Sequence, residues 1–239
     1  MKSFPILPLA VIFALATGCG GSQPKAKSSN RNDDRAFRTG EAEESMGVSA
    51  EVGGLSQDKV KRVFNRAMKG FTDCLTEGWE RLEFMSGSVN FYVAVDGDGS
   101  VKHTYLEQST LGDRQTEKCM LQVIRDQEWP KPVGGKVGEA RNSLIFDAPE
   151  DVRPPVDWSP DEILDALDKV RGDLEGCKQG TTRAFEITMY VGTNGKPIAV
   201  GAAPPGVEAD MAIDCMVGVL MGATFPSPGS WPAKVTFQL

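Results

Sequence analysis

The 239-residue chain carries 26 Lys and Arg against 33 Asp and Glu, a formal net charge of −7, with 40% hydrophobic residues and a single histidine. The acidic balance argues against a nucleic-acid interface, which needs clustered basic surface. The lone His103 removes the commonest general base and metal ligand from most of the chain.

Lys2 gives a short positive start, Phe4 to Leu15 is an apolar run too short for a comfortable membrane span, and Ala16-Thr17-Gly18 lead into Cys19. Residues 1–18 therefore read as a signal peptide, and Cys19 as the lipidation site of a bacterial lipobox in which Ala16 stands where Leu is usual. Acyl chains such as palmitate on Cys19 would anchor the protein in the membrane without spanning it, at about 0.8 kcal/mol per buried methylene. Gly20 after the cysteine, by resemblance to the sorting rule of Gram-negative lipoproteins, points to the periplasmic side of the outer membrane. Residues 19–54, rich in Ser, Asn, Asp and Glu, read as a disordered tether.

Val60, Val63, Phe64, Ala67, Met68 and Phe71 recur at helical spacing after a candidate N-cap at Ser56, and Cys74 extends the stripe. Val89, Phe91, Val93 and Val95 alternate as a strand with one buried face, DGDGS at 96–100 turns the chain, and Val101 to Glu107 is the returning partner. A second helix is expected from Asp113 to Gln127, ended by Trp129-Pro130, then a third strand from Asn142 to Asp147.

After a Pro-rich linker at 149–158, the order repeats. Ser159 to Cys177 matches the first helix, Ile163 falling on Val60 and Leu167 on Phe64. AFEITMYV and GTNGKP match the hairpin, with Gly195 on Gly99. CMVGVLMGATFPSP, from Cys215 to Pro228, matches CMLQVIRDQEWPKP, from Cys119 to Pro132, and Lys234 to Gln238 supplies the last strand. The second copy is shorter between helix and hairpin. There the first copy inserts Glu77 to Met85, which holds Trp79, a candidate partner contact or an extra helical turn with its indole packed inward. The fold class is α+β: two tandem αββαβ domains, 55–148 and 159–239, each a three-stranded antiparallel sheet with two helices on one face.

Each copy places one cysteine at the end of its first helix and one early in its second, at expected core-facing positions. Pairing Cys74 with Cys119 and Cys177 with Cys215 would staple the helices, each bridge contributing about 4 kcal/mol on a loop-entropy argument. Buried free thiols are the rival reading; a metal site fits poorly, with no CxxC spacing.

A helix ending in Cys, a strand, a DGxGxV-like turn, a strand, and a Cys-containing helix closing in [F/W]PxP resemble the AgmX/PglI C-terminal domain family, related to the TonB C-terminal domain. The resemblance is fuller over 55–148 than over 159–239, where Gly229-Ser230-Trp231-Pro232 replaces the glycine-rich segment. It implies a periplasm-facing binding or coupling module of envelope proteins, with no catalytic residue, no cofactor and no small-molecule substrate. The partners expected are the membrane, through the anchor, and an envelope protein, with no nucleic acid. Asp96 to Ser100 imitates the front of a calcium loop, but a hairpin turn explains the same residues. The competing class is a cell-wall-modifying enzyme working through carboxylates; Asp161, Glu162 and Asp165 are more simply a solvated helix face.

Overall fold

The expected stripe of apolar residues does build the first helix, and the insertion lengthens it. In the computed structural model, which describes Phe37–Arg38 and residues 54–239, α1 runs Gln57–Arg81 and includes Trp79. Ser56 stands at its N-cap and accepts from Lys59 and Val60 through its carbonyl, with no bond from its side chain. Its buried face is Val63, Phe64, Ala67, Phe71, Cys74, Leu75 and Gly78.

Residues 54–239 belong to one compact unit of α+β architecture, with four α-helices and two sheets among the described residues. The N-terminal half has β1 (Phe37–Arg38), α1, β2 (Gly87–Val95), β3 (Val101–Ser109), α2 (Arg114–Arg125) and β4 (Gly138–Phe146). The C-terminal half has β5 (Val156–Trp158), a 3₁₀ turn at Pro160–Ile163, α3 (Leu164–Cys177), β6 (Glu186–Val191), β7 (Pro197–Ala203), a second 3₁₀ turn at Val207–Ala212, α4 (Ile213–Gly222) and β8 (Ala233–Gln238).

The sheet orders correspond: β1-β4-β2-β3 and β5-β8-β6-β7. Each sheet thus has one strand more than its sequence pattern suggested. Phe37–Arg38, inside the segment read as a tether, pairs antiparallel with Ile145 and Phe146; Val156–Trp158, the end of the Pro-rich linker, pairs parallel with β8. Neither addition shows hydrophobic periodicity, because each is held through backbone groups that an edge strand leaves open. Gly54 also makes an isolated antiparallel bridge with Val133.

In the N-terminal half the inner sheet face (Val89, Phe91, Val93) meets Phe64 and Phe71 of α1 and Met120 and Ile124 of α2. Phe71, fully buried, stacks on Phe91 with centroids 5.2 Å apart; burying one such side chain is worth about 2–3 kcal/mol. The C-terminal core is Ile187, Met189 and Val191 against Leu167, Leu174, Ile213, Met216 and Leu220.

The two duplicated sequence motifs meet in space. Gly99, at φ +94°, turns the first hairpin so close to the aromatic-Pro segment that a Cβ would lie 3.0 Å from Trp129 O. Gly195, at φ +73°, does the same against Phe225 O, and Phe225 N–H donates to Gly195 O at 2.9 Å. A side chain at either turn would displace the segment that closes the core beneath it.

Candidate functional site: the joint between the halves

The outer face of the second sheet is covered by the first half. In β6 the residues between the core positions, Thr188 and Tyr190, are as fully buried as the core itself. Tyr190, Ala199 and Ala203 belong to the same apolar cluster as the N-terminal core. The Tyr190 hydroxyl donates to Ser86 O at 3.2 Å, and Ser86 N–H donates back to it at 3.3 Å. Lys234 Nζ of β8 donates to the same Ser86 O at 2.6 Å and lies 5.4 Å from the Tyr190 ring centroid. Burial pushes the Tyr190 phenol upward, and pushes the Lys234 ammonium down to about 8 against the pull of Asp157.

Next to this lies a reciprocal pair of carboxyls. Glu117 of α2, fully buried, accepts from Ser109 Oγ at 2.6 Å and from the Ala202 N–H of edge strand β7 at 3.1 Å. Glu186 of β6 accepts the Ser109 N–H of edge strand β3 at 3.0 Å. Each half therefore supplies a glutamate that satisfies an amide on the outermost strand of the other, the sort of group an edge strand otherwise leaves open. Gly201 makes room for this, since a Cβ there would run into Glu117 Oε1 and come within 2.9 Å of Asp113 N. Burial pushes Glu117 up to about 7, opposed by the bonds from Ser109 and Ala202; burial also raises Glu186, opposed by Ser109 N–H.

Asp113 caps α2. It accepts from Gln115 N–H at 3.4 Å, Thr116 Oγ1 at 2.7 Å and Arg81 Nη2 of α1 at 2.6 Å. Outside it, Arg114 and Lys118 reach Asp214 of α4 at 2.9 Å and 2.7 Å. Partial burial would raise Asp214, but the bonds from these two cations outweigh it and hold its carboxyl low.

The cysteine pairs form as expected, Cys74–Cys119 and Cys177–Cys215, with Cα atoms 5.8 and 5.6 Å apart. Their setting corrects the expectation of core-facing cysteines: Cys74 and Cys177 are buried, Cys119 is half-buried and Cys215 is exposed. The buried stripe of each second helix runs through the following methionine, Met120 or Met216, and leaves the cysteine on the flank. Trp79 packs against the N-terminal core as part of α1, half-buried, its indole N–H donating to Met85 O at 2.9 Å. Cys19 lies outside the described residues.

Asp96 to Ser100 is a hairpin turn, with Asp98 accepting from Ser100 N–H at 2.9 Å and Ser100 Oγ at 2.7 Å. His103 is exposed on β3, and Asp161, Glu162 and Asp165 are exposed around the start of α3. Among the described residues no group of three His, Cys, Asp or Glu gathers where a metal could sit.

Sequence reasoning missed Glu117, Glu186, Tyr190 and Lys234. The signal was the small-residue composition of PIAVGAA in β7, which marks a strand that another chain segment approaches closely. Two open grooves flank the joint, each lined by residues of both halves. One of about 300 Å³ is lined by Tyr105, Glu107, Arg183 and Pro204-Pro205; another of about 530 Å³ runs along Arg114, Lys118, Gln122 and Met211. Their charges are already engaged, Arg183 with Glu208 at 3.5 Å, Glu107 with Arg141 at 3.0 Å and Lys118 with Asp214. No family model, no curated protein and no solved structure gives a significant match to the chain.

Proposed function

We propose that this is a non-catalytic, lipid-anchored binding or scaffolding protein of the bacterial cell envelope. It is built from two tandem αββαβ domains of AgmX/PglI C-terminal (TonB C-terminal-like) type and is linked to envelope-spanning motility or transport machinery. The observation that carries this reading is where the perturbed acid and base lie. Glu117 and Lys234, the groups whose shifted acidity would nominate them for acid-base chemistry, are both committed to holding the halves together. A carboxyl with no exposure and both oxygens engaged has no route to a substrate.

Partner engagement by strand addition suits the outer side of β4, which among the described residues is paired only at Ile145 and Phe146. The anchor on Cys19 sets the compartment, and with it the disulfides.

Metabolic labelling with palmitate and membrane fractionation test the anchor. The native chain takes up label and sediments with outer membrane, and Cys19→Ser does neither; an unlabelled native chain removes the anchor. Mild cross-linking in membranes tests the scaffold. A discrete adduct with an envelope protein is expected, and adducts absent from native membranes, together with hydrolysis of envelope polymer by the purified chain, would replace this reading with the enzymatic one.

A further inference from the structure

The joint seats a carboxyl against neutral donors alone. Glu117 is fully enclosed, one oxygen on Ser109 Oγ of the β3 end and the other on the Ala202 amide of β7. The charges around it are committed elsewhere. On its own helix, Arg114 reaches Asp214 at 2.9 Å and Asp210 at 3.9 Å, and the Asp113 carboxylate is held by Arg81 of α1 at 2.6 Å. From β6, Glu186 adds a second carboxyl on the other side of Ser109. From β8, Lys234 is bound to Ser86 O, and β7 offers only its backbone at Gly201 and Ala202.

A carboxylate enclosed this way has no counter-cation in contact; Arg114 attracts it without touching it, Asp113 repels it, and burial outweighs both, so ionisation favours any conformation that lets water reach it. We infer that the joint is proton-gated: with Glu117 protonated the α2–β7 contact stays seated, and with Glu117 ionised it loosens and frees the facing edges of β3 and β7. Burial raises the pKa of Glu117 to about 7, which puts the change near neutral pH. Linkage gives its sign: the open form releases the proton more readily, so opening grows as pH rises from the ordinary carboxylate range to about 7, then levels off. This device stands apart from the identity of any partner.

The test is amide hydrogen exchange by NMR on the full mature chain, reading protection of Ala202 and Ser109 relative to intrinsic exchange at each pH, with Phe71 in α1 marking global opening. Between pH 5.5 and 8.0 the relative protection of the two joint amides falls by roughly tenfold or more, and in Glu117→Gln, which keeps an acceptor for Ala202, the fall shrinks to under about twofold. Unchanged protection in the native chain, or the same fall in Glu117→Gln, overturns the inference. Should Glu117→Gln not fold, the carbon-13 titration of the native Glu117 carboxyl decides: a midpoint near neutral that tracks the exchange supports gating, and a midpoint near the unperturbed value of about 4.3 overturns it.

Discussion

The outer faces of the two sheets make opposite use of the same position in the fold. In the N-terminal half that face holds Tyr92 and Tyr105 with ring centroids 5.0 Å apart, Arg141 at 4.8 Å over the Tyr92 ring and 3.0 Å from Glu107, and Asn90 bonded to Gln108. Its polar groups satisfy one another across strands and tolerate water. In the C-terminal half the face holds Thr188, Tyr190 and Lys234, which bond to the first half instead, and Gly201, whose missing side chain leaves room for Glu117. Which face becomes a joint is thus decided by side-chain size and by where the hydrogen bonds lead. The order of strands is common to both.

The largest expected effect tests what the halves share. Replacing both cysteines of either bridge by Ser should lower stability by about 4 kcal/mol, nearly equally for the two, because loops of 45 and 38 residues differ little in closure entropy. Denaturant titration reads this, and a loss confined to one bridge would mean that the halves do not fold as one cooperative unit.

Next comes the sharpest contrast between the faces. Tyr190→Ala removes a fully buried ring and leaves Ser86 short of a partner, for a loss of about 3–4 kcal/mol. Tyr92→Ala on the open face should cost about 1 kcal/mol, the worth of one cross-strand aromatic contact and one cation–π contact. Similar losses in thermal unfolding would break the distinction drawn between the two faces.

A third test is the pH profile of stability. The folded-state pKa of Glu117 is raised from 4.5 to about 7, so its contribution is full below about 4.5 and is lost as pH rises to about 7; Glu186 acts in the same direction. Lys234 is depressed from 10.5 to about 8, so stability returns between about 8 and 10.5. Stability should therefore pass through a shallow minimum between about 7 and 8. The smallest expected effect is that of Lys234→Met, which should leave stability at pH 7 within about 1 kcal/mol of native and abolish the alkaline recovery.

Much of the fold was legible because it is written in periodicity. The stripe from Val63 to Phe71, the alternation of Val89, Phe91 and Val93, and the spacing of Met120 and Met216 before their aromatic-Pro endings each report a local pattern of burial. β1 and β5 escaped because two or three residues joined through their backbones carry no such pattern. The joint escaped for a different reason. Glu117 reads as a polar residue of an amphipathic helix until a second surface covers it, and that cover comes from Ala202, far along the chain. The small residues of β7 recorded only that something would come close.

The two bridges also have a mechanical meaning for a chain pulled from its ends. Tension on the chain reaches neither the residues between Cys74 and Cys119 nor those between Cys177 and Cys215, because the sulfurs carry the load past them. At about 3.5 Å per extended residue, the bridges withhold about 160 Å and about 130 Å of contour length. With both bridges intact the pulled chain would therefore stop short of its full contour, and reduction would release the hidden length in two further steps.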